Sequence, residues 1–154
     1  MRKRSRHRPA LVLVLLLVAA CAAPGSSEPR TVVLTDEGCN RTGTETLPVG
    51  ATSIAIRNES GSLGSFELVR LDTSFPELLA YIAEEQTRIA TGQPPQGTPA
   101  SVSVVGQLLL SPMGSGTIDA TLTPGTHAVI CGRLTASEDE VLSIFLVGPY
   151  SVSE

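Results

Sequence analysis

The sequence predicts an all-β sandwich of about seven strands with one helical insertion. Three observations carry this. Short alternating or β-branched runs recur along the chain, separated by clusters of Gly, Pro, Ser and Asp. One segment, between 74 and 92, changes to helical spacing. No internal repeat is present, and Cys21 to Glu154 is 134 residues, one domain's worth and enough for a core.

The elements follow in order. TVVLT (31–35) is β-branched and reads as a strand; DEGCNRTG after it reads as a loop. LPVG turns the chain into ATSIAIRN (51–58), where Ile54 and Ile56 alternate with Ser53, Ala55 and Arg57. ESGSLG is a loop. In SFELVRL (65–71), Phe66 and Leu68 share one face, Glu67 and Val69 the other, and Leu71 ends the strand.

The period then changes. Ser74 is a plausible N-cap with Glu77 three residues on, a capping box, and Pro76 is tolerable in a first turn. Leu78, Leu79, Ile82, Ala83, Ile89 and Ala90 recur at helical spacing, Glu84 and Glu85 make an acidic side, and Gly92 is a stop. QPPQGTP reads as a rigid loop. SVSVV and QLLL flank Gly106, which suggests a strand bent or bulged there. TIDATL, THAVICG and VLSIFLV (141–147) are the remaining strands, set off by SPMGSG, TPG and TASEDE.

The N-terminal residues stand outside this pattern. MRKRSRHR carries five basic residues, and ALVLVLLLVAA is an unbroken apolar run, the two parts of an export signal. The run is about half of the roughly 20 residues that a membrane span needs. LVAAC resembles the bacterial lipoprotein signal, with small residues Ala19 and Ala20 before a cysteine. By that resemblance residues 1–20 are a signal peptide and Cys21 is lipidated, which would tether the domain to a membrane on its extracytoplasmic face. Ordinary secretory cleavage near Ala20 or Ala23 is the other reading. Residues 21–30 are a Pro, Ser and Gly rich tether, and 31–154 are the domain.

Beyond residue 20 the chain carries fifteen acids against six arginines and no lysine, a net charge of −9. That argues against nucleic acid and against an anionic lipid surface as direct partners. It names no other partner. Apart from Cys21 the cysteines are Cys39 and Cys131, and an even pair in an exported protein is most simply a disulfide. Cys131 in TLTPGTHAVICGR could also be a copper ligand or a plain buried thiol.

Leu122, Pro124, Gly125, His127 and Cys131 on the penultimate strand resemble cupredoxin-like domains, Greek-key sandwiches used for blue copper. Thr35-Asp36 with Cys39, Asn58 with Ser60, Phe66-Glu67-Leu68, and Leu122 through Cys131-Gly132 with Leu134 are similar to the cupredoxin-like domain of EfeO-type iron-uptake proteins. The likeness spans about residues 31 to 148. The helical excursion over 74–92 and the loop to 100 depart from it. The helical metallopeptidase-like partner of full iron-uptake proteins is absent.

Blue copper needs two histidines and a cysteine, usually with an axial methionine. Past residue 20 the chain holds one histidine, His127, and one methionine, Met113, so a type 1 site is excluded within one chain by the count. His127 reads as a strand residue with an intramolecular role. The EfeO resemblance implies a different set, Cys39, Glu67 and Cys131 with Glu84 or Glu85, able to hold a copper or iron ion if both thiols stay reduced. Closing Cys39 to Cys131 would instead tie the first strand's end to the penultimate strand. An enzyme is not expected. His127 and Cys131 are four residues apart on one strand, roughly 13 Å, too far for a nucleophile and its base. The expected role is a lipid-anchored binding or accessory module without cofactor, with 74–100 as the surface for an unidentified protein partner. The alternative is a metal-handling protein using the cysteine and carboxylate set.

Overall fold

The computed structural model describes residues 30–153. The expected signal over 1–20, Cys21 and the tether up to residue 29 lie outside the described residues. Nine strands and one helix follow: β1 (Thr31–Leu34), β2 (Cys39–Thr42), β3 (Thr46–Pro48), β4 (Gly50–Asn58), β5 (Leu63–Leu71), α1 (Phe75–Ala90), β6 (Val102–Leu110), β7 (Ser115–Leu122), β8 (Gly125–Leu134) and β9 (Val141–Ser153). They form a four-stranded sheet, β2-β1-β4-β7, and a five-stranded sheet, β3-β9-β8-β5-β6. The pairs β1/β4 and β3/β9 are parallel and the others antiparallel.

The alternation read from the sequence sets the faces. Ile54 and Ile56 of β4, Phe66 and Leu68 of β5, and Val129 and Cys131 of β8 point into one core between the sheets. Val69 and Leu71 of β5 with Ala128 and Ile130 of β8 face the other way, under α1. Both faces of β5 and β8 are therefore buried.

The helix has its expected start. Ser74 is the N-cap, its hydroxyl accepts from the Glu77 N–H, and the Glu77 carboxylate accepts in return from the Ser74 N–H at 3.0 Å. The Thr73 hydroxyl and these Ser74 donors hold the Glu77 carboxyl below the usual range. Such a cap stabilises by about 1 kcal/mol. Burying Leu78 and Ile82 contributes about 1.5–3 kcal/mol each, so packing holds the helix more than its cap does. Gly92, at φ +74, ends it.

Four expectations change. CNRT, expected in a loop, is β2: a polar run with no hydrophobic alternation, held by its backbone pairing along β1. Thr46–Pro48 is a second unexpected strand, three residues that pair only with β9. The last strand does not end at Val147. It runs on past a cis Gly148–Pro149 bond to Ser153, and this extension is the partner of β3. Finally, the helical insertion is not external to the sandwich. It roofs the outer face of the five-stranded sheet and supplies Leu78 and Ile82 to the second core.

Gly106 behaves as the sequence suggests. Leu68 pairs with Gly106 but Val69 with Val104, so Val105 is the extra residue of a bulge. A Cβ on Gly106 would lie 2.6 Å from Ile118 Cγ2, across the sandwich in the other sheet.

Candidate functional site

Cys39 and Cys131 are joined in a disulfide, Cα to Cα 6.4 Å and 92 residues apart. The bond runs from the first residue of β2, in one sheet, to the fully buried middle of β8, in the other. It fixes the two layers to each other at one end of the sandwich.

The same end is laced by polar side chains. Thr35 Oγ1 accepts from the N–H groups of Glu37 and Gly38 and shapes the β1–β2 turn. Asp36 follows it. Its carboxylate accepts from Gly61 N–H at 3.3 Å and lies 2.8 Å from Arg133 Nη2. Arg133 Nη1 also donates to the Asp36 carbonyl at 3.0 Å. Asn58, 1% exposed, is the hub beside them. Its Nδ2 donates to the carbonyls of Ser62, Ser111 and Leu110 at 2.8, 3.0 and 3.2 Å. Its Oδ1 accepts from the Ser60 N–H and hydroxyl. Thus part of the residues behind the family resemblance, Thr35-Asp36, Cys39, Asn58, Ser60 and Cys131, is gathered here as a strut of covalent and hydrogen bonds.

The carboxylates of the expected ligand set are elsewhere. In β8, Cys131 is in register with Phe66 and turns inward. Glu67 is the next residue along β5, so it lies on the outer face with the sheet between it and the sulfurs. Glu84 is exposed on α1, and Glu85 is buried under it. Among the described residues no three His, Cys, Asp or Glu side chains are grouped as a metal site. Cys39, Glu67, Glu84, Glu85 and Cys131 therefore do not converge, and the two sulfurs are bonded to each other.

Glu67 and Glu85 do meet a common space. A cavity of about 150 Å³ lies between α1 and the outer face of the five-stranded sheet. Ile82, Ile130, Val141 and Ile144 give it apolar walls, and the loop through Pro95 and Pro99 covers it. One stripe of α1 holds that loop down. Tyr81 Oη donates to the Gly97 carbonyl at 2.7 Å, Glu85 Oε2 accepts from Gln96 N–H at 2.6 Å, and Arg88 Nη2 donates to the Pro94 carbonyl at 3.0 Å. Burial, then the charges of Glu85 and Glu84, push the Tyr81 phenol up, as a negative surrounding should. The expected acidic side of the helix is thus split: Glu84 is solvated and Glu85 belongs to the cavity. The signal was available, since 78, 82, 85 and 89 are one helical stripe.

His127 has the structural place expected of it, at the other end of the core. It is fully buried, in register with Arg70 and Tyr150. Neither ring nitrogen has a hydrogen-bond partner among the described residues. Burial first, and then the Arg70 charge, hold it below the ordinary 6.5, while the Gly125 backbone opposes this. A histidine lowered in the fold is charged more readily in the unfolded chain. Its contribution is whole above pH 6.5 and is lost as the pH falls through that value toward the folded one. Stability should fall as the pH drops from neutral through 6.5, with a slope of up to about 1.4 kcal/mol per pH unit from this group. Thermal melts of His127→Gln against the parent test it: the variant should be flatter, and parallel curves would contradict the assignment.

No family model matches this sequence. No curated protein matches it either. Among solved structures it is similar to dithionite-reduced auracyanin from Roseiflexus castenholzii, at 19% identity and TM-score 0.43 over 80% of this chain and 97% of that one. It is similar to auracyanin A, a "blue" copper protein from Chloroflexus aurantiacus, at 15% identity and TM-score 0.43 over 81% and 99%. An azurin from Methylomonas sp. strain J follows at 11% identity and TM-score 0.41 over 80% and 96%.

Proposed function

We propose that this chain is a non-catalytic binding module, held by lipid at Cys21 on the outer side of a membrane, whose binding element is the α1 cleft. The observation that supports it is the cavity itself: an apolar space under a loop that three side chains of one helix hold in place. Small-molecule sites have this makeup, apolar walls with a few fixed polar groups. The disulfide end supports the reading from the other side. There the cysteines of the metal-handling alternative are spent on joining the sheets.

Two measurements on the purified protein test this. Alkylation before and after reduction, with elemental analysis, separates the readings. Thiols blocked only after reduction, with no stoichiometric metal, agree with a binding module. Free thiols with one copper or iron per chain would establish the metal-handling alternative. A small-fragment screen read by methyl NMR should then shift the signals of Ile82, Ile130 and Ile144; fragments that leave these three unmoved would remove the cleft as the binding element.

A further inference from the structure

Of the four sheet edges among the described residues, three are guarded and one is not. β3, at one end of the five-stranded sheet, is three residues long and ends in Pro48. β2 and β7, the edges of the other sheet, carry Arg41 and Asp119. Short length, proline and charge are the usual means of keeping an edge from pairing with another chain. β6, the remaining edge, is nine residues of Val, Ser, Gly, Gln and Leu, and among the described strands it pairs only with β5. Its one protection is the bulge at Val105, which bends the first half away and leaves residues 106–110 regular.

β6 also lies in an uncharged part of an acidic chain. No Asp, Glu, Lys, Arg or His occurs from residue 89 to 118, although the chain past residue 20 has a net charge of −9. Val104 and Leu109, each 44% exposed, stand on the outer face of β6. The charges on the neighbouring strand, Glu67 beside Gln107 and Arg70 beside Ser103, are opposite in sign. Two copies of so acidic a chain repel across their charged faces, and a basic partner finds no excess of acid at this edge. What fits a neutral strand edge is another neutral strand edge, and a second β6 supplies one.

We propose that β6 is the contact of a two-fold dimer, pairing antiparallel with β6 of a second copy along residues 106–110 and joining the two five-stranded sheets into one. With Leu108 on the two-fold axis, each Leu109 stands opposite Gln107 of the second copy and diagonal to its Leu109. The contact is isologous, so it uses up both open edges, and the guarded edges stop the assembly at two. A strand contact this short is a small interface, so the dimer is weak. This inference does not depend on the cleft.

The test is sedimentation equilibrium of the purified protein from about 10 µM to about 1 mM, the range in which a weak dimer forms. The average mass should rise from one chain toward two and no further. Added salt should strengthen the association, because it screens the general repulsion and the contact holds no ion pair. Leu109→Lys and Gln107→Lys should each weaken it at least about ten-fold, although each makes the chain less negative. Both positions are exposed, so the fold tolerates lysine there. Asn40→Lys, exposed on β2 at the far edge of the other sheet, makes the same change of charge and should not weaken association. Hydrogen exchange adds a direct mark: amides within residues 106–110 should slow as the concentration rises. A mass of one chain throughout, growth beyond two, association that salt abolishes, or lysine variants at 107 and 109 that associate like the parent would each overturn the proposal. The first of these would leave the edge to a different protein.

Discussion

Removing the bond between Cys39 and Cys131 should lower stability by about 4–5 kcal/mol, and the melting temperature by roughly 10–25 °C. The size comes from the 92-residue separation of the two cysteines, since a longer closed loop restricts the unfolded chain more. Native contacts change less. Cys131 is fully buried among apolar neighbours, and alanine there leaves a space of one sulfur atom. The mark of a cross-link is failure of additivity. Cys39→Ala alone should have nearly the effect of Cys39→Ala with Cys131→Ala, because either change removes the whole bond. Calorimetry of the three variants, and of the parent with reductant, checks this. A parent whose melting point ignores reductant, or single effects that add up in the double variant, would refute it.

The second large effect belongs to Asn58. Asn58→Ala should destabilise by about 3–5 kcal/mol. The amide has two protons for three carbonyls, so one proton is shared, and all three lose their donor together with the acceptor for Ser60. These partners come from the β4–β5 loop and from the end of β6 and the turn after it, so one side chain joins the two. Gly64 packs close under this amide: a Cβ there would lie 2.9 Å from Asn58 Nδ2. Asn58→Asp separates hydrogen bonding from shape. It keeps the volume and the Ser60 acceptor but turns oxygen toward carbonyls, and it should cost at least as much as alanine. Urea unfolding of both variants is the measurement. An aspartate variant close to the parent in stability would show that the amide protons matter little.

Local chemistry was legible in the sequence, and long-range assembly was not. The α1 cap, the Gly92 stop, the faces of β5 and the Gly106 bulge each depend on residues a few positions apart, so one segment of sequence contains the whole cause. The disulfide was also legible: with Cys21 set aside by the lipoprotein resemblance, Cys39 and Cys131 remain, and an even pair in an exported protein is most simply a disulfide. β2 and β3 were hidden because they are short, polar at their exposed positions, and defined by partners rather than by their own pattern. The cavity was hidden for a stronger reason. Its walls come from β5, α1, the 93–99 loop, β8 and β9, and no local signal records that these meet. Glu85 shows the conflict in one residue. Its position belongs to the buried stripe, its charge to the surface, and the helical period decided. Arg133 and Asp36 were missed likewise, as partners 97 residues apart.

The Cys39–Cys131 bond also governs how the domain yields to a mechanical load. A pull on the residues before Thr31 enters β1 and reaches Cys39 within eight residues of chain. From there the covalent link passes tension directly into β8, and everything between the two cysteines is shielded. With the other hold at Ser153, only the segments outside the closed loop can pay out, roughly thirty residues or about 100 Å of extended chain. The helix α1 and the Pro-rich roof of the cleft lie inside the shielded part, and the cleft wall on β9, Val141 and Ile144, lies outside it. Drag on a tethered copy would therefore strip β1 and β9, and with β9 one wall of the cleft, while leaving α1 and the roof on a chain that cannot be drawn out.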